Sequence, residues 1–145
     1  VISSGAYWRL RSNALSQLRG LLAPGPQAAA LDGPTRRLLE HLARHDTPWL
    51  RAGAIRFLGM THDPSYANLY LAAFSDRSDR VINAAATALG QTRSPVAYRA
   101  LVQLIDKPSW KSQSLISALN GFKELGDQRA VPIALRALED TSLPR

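Results

Sequence analysis

The stretch Asp63–Gly90, DPSYANLYLAAFSDRSDRVINAAATALG, decides the fold. Its first half carries apolar residues at the i, i+3, i+4, i+7, i+8 spacing of an amphipathic helix: Tyr66, Leu69, Tyr70, Ala73 and Phe74. Its second half repeats that spacing with smaller residues: Val81, Ala84, Ala85, Ala88 and Leu89. A polar turn separates the halves, and Gly90 is well placed to end the second helix. The stretch therefore predicts a hairpin of two short helices.

The same pattern recurs on both sides of this hairpin. Corresponding first helices are predicted to end at intervals of 31, 31 and 33 residues, at Ala43, Phe74, Ile105 and Leu138. A helical hairpin repeated at this period is typical of an α-solenoid, because a two-helix unit buries its apolar face only against its neighbours. No segment shows a convincing strand pattern. We predict an all-α, α–α superhelix of about three and a half hairpins.

The predicted units divide one domain, residues 1–145. They are a half unit at 6–22, hairpins at about 34–59, 63–90 and 95–126, and a half unit at 128–140. A solenoid needs polar caps at its ends, but neither half unit has one. We expect two pairs of leucines to be partly uncovered there, namely Leu15 and Leu18, and Leu135 and Leu138. We therefore expect this chain to be a fragment of a longer array.

Three segments resemble HEAT-like repeats, whose units read as a Leu-Gly turn, Asp-Pro and an apolar helix. They are LGMTHDP at 58–64, ALGQTRSP at 88–95 and ELGDQRAVPIALRALED at 124–140. The resemblance covers about residues 34–140. It implies an Asp in the turn between the helices and an Arg early in the second helix, matched here by Asp46 and Arg51. Ile82 occupies the Arg position of the next unit, so we do not expect the polar ladder to continue past the first hairpin.

A narrower resemblance concerns PSWKSQSLISALNGFKELGDQRAVPIALRAL at 108–138. This segment looks like the final repeats of the C-terminal helical domain of bacterial zinc aminopeptidases of the aminopeptidase N type. The resemblance implies an accessory domain that lies beside a catalytic domain and shapes substrate access. It also implies that zinc belongs to the parent chain and not to this fragment.

No catalytic, cofactor-binding or metal-binding residues are predicted in the fragment itself. That enzyme family binds zinc through His-Glu-x-x-His, which this chain lacks. His41 and His45 have the i, i+4 spacing but no Glu follows His41, and we interpret them as surface histidines near a helix end. Glycine-rich phosphate loops and nucleophile turns are also absent. The sequence therefore predicts a non-catalytic scaffold that binds a protein or peptide, and the expected partner is another domain of the same chain.

The charge pattern leaves a second function open. The formal net charge is +7, and the densest cationic region consists of Arg36, Arg37, Arg44, Arg51 and Arg56. Such a region suits phosphate or carboxylate groups. The alternatives to a domain-contact scaffold are thus a basic nucleic-acid-binding module and a free-standing adaptor between proteins.

Tryptophans mark a further candidate surface. Trp49 and Trp110 occupy comparable places near the start of second helices. The structural interpretation is that each ring covers the turn between the helices while its N–H stays in water. The alternative is an aromatic row on which a peptide or a base stacks.

The remaining sequence features exclude little. There is no cysteine, so disulfides and thiolate metal sites are excluded. No apolar run approaches the roughly 18 residues that span a bilayer. We expect a soluble protein, and the sequence does not identify its cellular compartment.

Overall fold

The computed structural model describes residues 11, 13–15, 17, 31, 33–108 and 112–139. Within these ranges every regular element is helical, which confirms the prediction of an all-α HEAT-like solenoid. The helices are α1 (Gly33–His45), α2 (Pro48–Gly59), α3 (Ala67–Ala73), α4 (Asp79–Thr92), α5 (Pro95–Ile105), α6 (Gln113–Leu125) and α7 (Val131–Glu139). Short 3₁₀ turns, Pro64–Tyr66 and Gln128–Ala130, precede α3 and α7. Most of the predicted half unit at 6–22 lies outside the described residues.

Local sequence explains where the helices begin. Proline occupies the first turn of α2, of the 3₁₀ turn before α3 and of α5, where its missing N–H costs no intrahelical hydrogen bond. The Asp63 carboxylate accepts a hydrogen bond from the Ser65 backbone N–H at 2.8 Å. Ser94 stands at the same position before α5, but its side chain makes no capping hydrogen bond. A side-chain cap is therefore present at Asp63 and absent at Ser94.

The second helices of the hairpins, α2, α4 and α6, stack on one another and form the most extensive helix contacts. The first helices α1, α3 and α5 each pack on the second helix of their own hairpin. The middle helix α4 is buried on two sides. Val81, Ala85 and Leu89 belong to a core shared with α2, whereas Ile82 and Ala86 belong to a core shared with α5 and α6.

Glycines bring the backbones of α4 and α6 into contact. A Cβ atom added to Gly90 would lie 2.1 Å from the carbonyl oxygen of Gly121. A Cβ atom on Gly121 would lie 2.6 Å from the carbonyl oxygen of Ala86. The prediction that Gly90 ends its helix is wrong, because α4 continues to Thr92 and ends where Arg93 adopts a left-handed conformation with φ of 50°. Gly90 is required for close packing instead.

The end formed by α7 is the least covered part of the described chain. None of the residues of α7 is buried, and Leu135 and Leu138 are 54% and 83% exposed. This confirms the prediction for these two leucines. Leu15 is half-buried and packs against the core between α2 and α4, and Leu18 lies outside the described residues. None of the described helices is both long enough and apolar enough to cross a membrane.

Candidate partner-binding face

A ladder of ion pairs joins the turns of successive units. The Arg51 guanidinium donates two hydrogen bonds of 2.8 Å to the Asp76 carboxylate of the next hairpin and a third to the Asp46 carbonyl oxygen. Arg11 binds the Asp46 carboxylate in the same way, one unit earlier. The ladder thus reaches Asp76 through the arginine of the first hairpin, in agreement with the expectation that it does not continue beyond that arginine. It ends at Ile82, which lies in the core where an Arg would be needed.

The ladder lowers the pKa of Asp76. Desolvation opposes ionisation of this carboxyl group, but hydrogen bonds from the Arg51 side chain and the Ser78 backbone outweigh it and hold the pKa below its ordinary value. Both side chains of the Arg51–Asp76 pair are mostly buried, with 18% and 14% exposed. Three donated hydrogen bonds hold the Arg51 guanidinium between two turns, which makes this residue a structural link between units.

The other predicted cations lie on the surface and are dispersed. Arg36 binds Glu40 at 3.0 Å and lies over the Tyr66 ring, 4.9 Å from its centroid. Arg37 and Arg44 are exposed on the side of α1 opposite its core residues. Arg56 is exposed on α2. The structure therefore separates the cationic cluster of the sequence into a basic side of α1, one residue on α2 and the buried Arg51.

Trp49 stacks with a residue that sequence reasoning did not single out. The Arg80 guanidinium carbon lies 3.6 Å from the centroid of the Trp49 ring, and the ring is 45% exposed. The two residues stand at the same position of consecutive second helices, 31 residues apart. This cation–π contact extends from α2 to α4 over the stacked second helices. Trp110, the other predicted aromatic residue, lies outside the described residues.

Polar side chains continue this surface from α4 to α6. Asn120 donates a hydrogen bond of 3.2 Å from its Nδ2 to the Oδ1 of Asn83, and the Thr87 hydroxyl approaches the same oxygen at 3.5 Å. We call Asn83, Thr87 and Asn120 the amide cluster. All three side chains are half-buried. The sequence does carry a signal for these residues of α4. Arg80, Asn83 and Thr87 are polar residues at the i, i+3 and i+7 positions, on the side of the helix opposite its core.

These exposed and half-buried residues lie on one side of the stacked second helices, which we call the second-helix face. It crosses three stacked helices and combines an aromatic ring, cations, amides and an aliphatic side chain: Trp49 and Arg56 on α2, Arg80 and the amide cluster on α4 and α6, and Ile116 and Lys123 on α6. Such a mixture of polar and apolar groups is suited to the binding of another molecule, as distinct from catalysis.

The described residues offer no arrangement for a metal ion. Within them, no group of three or more His, Asp or Glu side chains is placed to coordinate one. The rings of His41 and His45 lie 5.0 Å apart on α1, as their i, i+4 spacing requires. A cavity of about 230 Å³ lies between α5, α6 and α7 and is lined mainly by aliphatic residues, with Asp106 and Arg136 among them.

Comparison with known proteins agrees with this architecture. A family model described as HEAT repeats matches residues 35–120, which is more than half of the 145 residues. No curated protein matches the chain. The matched range includes α1 to α5, the Arg51–Asp76 ladder and most of the second-helix face. The chain belongs to the HEAT-repeat family.

Proposed function

We propose that this chain is a non-catalytic scaffold that binds a protein partner on its second-helix face. The observation that carries the proposal is the continuity of that face. Cation–π stacking joins α2 to α4, and a hydrogen bond between Asn83 and Asn120 joins α4 to α6. The stacked helices hold these side chains in a fixed row, so a partner meets a preorganised surface. HEAT repeats commonly mediate protein interactions, which agrees with this proposal.

Site-specific photo-cross-linking tests the proposal. A photoreactive amino acid replaces Ile116 on the second-helix face or, as a matched control, Val96 on the outer side of α5. The two side chains are apolar and similarly exposed, 43% and 48%. In the cells from which the gene comes, we expect a discrete cross-link to a protein from position 116 and none from position 96. Cross-links from position 96 alone would overturn the proposal.

A finer proposal concerns the parent protein. We propose, from the resemblance of residues 108–138 to the C-terminal domain of zinc aminopeptidases, that the chain is an accessory domain and that its partner is the catalytic domain. The support for this proposal is that sequence resemblance alone. The experiment is to sequence the gene upstream of this segment. An upstream segment that encodes His-Glu-x-x-His supports the assignment to an aminopeptidase. A complete parent gene that does not encode this motif excludes it.

Nucleic-acid binding is the second candidate function. The observation that favours it is the basic side of α1, where Arg37, His41 and Arg44 are exposed and neither arginine pairs with a carboxylate in the described part of the chain. Phosphate contacts release counterions, so affinity for DNA or RNA would fall steeply with salt. Retention of duplex DNA at about 50 mM salt and loss at about 200 mM supports this function. No retention at the lower concentration excludes it.

A further inference from the structure

We infer that the second-helix face binds a peptide in extended conformation, by hydrogen bonds from the amide cluster to the peptide backbone, with Arg80 beside it for an acidic side chain. This inference rests on the proposed function and specifies the chemistry of the partner. Its basis is the unused hydrogen-bonding capacity of Asn83 and Asn120.

The amide cluster has both donors and acceptors to offer. Asn83 Oδ1 accepts from Asn120 and is approached by Thr87, which leaves both N–H groups of Asn83 Nδ2 without an acceptor in the described residues. Asn120 donates from Nδ2, and its Oδ1 has no described donor. An Asn side chain can donate two hydrogen bonds and accept two. The cluster therefore presents N–H donors on α4 and a carbonyl acceptor on α6.

An extended peptide has the complementary groups. Each of its residues carries one free backbone N–H and one free C=O, so a single peptide can satisfy Asn83 and Asn120 together. The interior of a helical partner cannot do so with its backbone, because those groups are bonded to one another along the helix. The chemistry of the amide cluster thus favours an extended peptide over a helix.

The dimensions agree with this arrangement. Packed helices lie about 8–10 Å apart, and an extended chain advances about 3.3 Å per residue. A peptide that crosses from Trp49 on α2 to Asn120 on α6 therefore needs about six residues. The exposed Ile116 lies one helical turn before Asn120 and offers an apolar contact at that end of the path.

The charges favour an acidic residue in the peptide. The Arg80 guanidinium stacks on the Trp49 ring and pairs with no carboxylate in the described residues. Arg56 and Lys123 add positive charge. The neighbouring acidic residues are Asp79, which precedes Arg80 in sequence, and Glu124, which follows Lys123 and accepts a hydrogen bond from Gln91. A guanidinium has five N–H donors, so contact of its carbon with an aromatic ring leaves N–H groups for a carboxylate. A carboxylate near the Trp49 end of the peptide is therefore expected.

Peptide selection provides the experiment. Peptides of about eight residues are selected from a random library on the immobilised protein, and the affinity of the best binder is measured by calorimetry. We expect an acidic residue in the selected sequences and a loss of about tenfold in affinity on Asn83→Ala or Asn120→Ala. Asn68→Ala, on the exposed side of α3, is the matched control and should leave the affinity unchanged.

A second measurement does not depend on variants of the protein. Single N-methylation of the peptide backbone removes one N–H donor at a time, and at the bound position it should weaken binding to the unmodified protein about tenfold. The inference is overturned if no peptide is selected, if neither N-methylation nor the Asn variants weaken binding, or if locking the peptide as a helix strengthens it. A cross-link from position 116 together with any of these results retains the proposed function and removes the extended-peptide inference.

Discussion

The junction between α2 and α4 and the junction between α4 and α6 stack equivalent helices by different means. At the first junction, a Cβ atom on Gly59 would meet side-chain atoms of Gln91 and Ala88 first, at 2.7 and 2.8 Å, and the Ala88 Cα atom at 3.1 Å. The Arg51–Asp76 ion pair joins the adjacent turns. At the second junction, Gly90 and Gly121 meet backbone to backbone, and Ile82 replaces the arginine. The comparison shows that repeats of one shape can exchange a polar ladder for closer packing.

The second junction also explains where the candidate site lies. Without an arginine at position 82, the polar contact between the helices shifts to Asn83 and Asn120 on the exposed side. Half-buried amides that bond each other keep part of their hydrogen-bonding capacity for a third group. The most regular hairpin, Asp63–Gly90, therefore contributes Arg80, Asn83 and Thr87 to the face that we propose as functional.

The largest expected effect comes from filling the backbone contact at the second junction. Gly90→Ala places a methyl group 2.1 Å from the Gly121 carbonyl oxygen, and neither backbone can move without separating the helices. We expect a loss of about 3 kcal/mol in the free energy of unfolding, measured by urea denaturation. Gly53→Ala is the control, because there the added Cβ meets only the flexible end of the Leu15 side chain. Equal losses in both variants would contradict the backbone contact.

The ladder at the first junction should contribute less. Arg51→Ala leaves the Asp76 carboxylate without its guanidinium partner, and we expect a loss of about 2 kcal/mol, between the values for exposed and fully buried pairs. A double-mutant cycle with Asp76→Ala measures the coupling between the two side chains. A coupling energy near zero would show that the pair does not hold the junction.

The pH dependence gives a separate check of the same ion pair. Because folding lowers the pKa of Asp76, its contribution to stability is present above the ordinary carboxyl pKa of 3.8. It is lost as the pH falls from there through the lower pKa of the folded state. Asp76→Asn should therefore flatten the decrease in stability below about pH 4. An unchanged acid profile in urea titrations would contradict this assignment.

Substitutions at the cap positions of the hairpins should have smaller effects on the free energy of unfolding. Asp63→Ala removes the side chain that accepts from Ser65 N–H and should cost about 1 kcal/mol. Ser94→Ala removes a side chain that makes no such bond and should change the stability by less than about 0.5 kcal/mol. Thermal unfolding monitored by circular dichroism compares the two. A larger effect at Ser94 would contradict the capping geometry.

The last expected effect is a gain in stability at the core of the first junction. The Tyr70 side chain is fully buried, and its hydroxyl group has no hydrogen-bond partner among the described residues. Burial also raises the pKa of this phenol well above its usual range. Tyr70→Phe removes the unsatisfied group and should raise the free energy of unfolding by up to about 1 kcal/mol. A loss of more than this amount would show that the hydroxyl group is satisfied.

The sequence determined the helical hairpins, because the i, i+3, i+4 spacing of apolar residues and the position of prolines are local signals. It also identified Trp49 as a candidate and Arg51 as a ladder residue. It did not identify Arg80 as the partner of Trp49 or Asn120 as the partner of Asn83, which are 31 and 37 residues apart. The register between stacked helices decides these contacts, and no local pattern encodes it.

The two glycines of the second junction show the same division. From the sequence alone, Gly90 follows an apolar stripe and has the features of a helix end, since glycine is common there. Only the tertiary structure shows that α4 continues to Thr92 and that Gly90 faces the backbone of Gly121. The period of the repeat predicted the alternation of first and second helices that the described residues show. The distance at which those helices stack decided which glycine packs, which arginine is buried and which asparagines remain available to a partner.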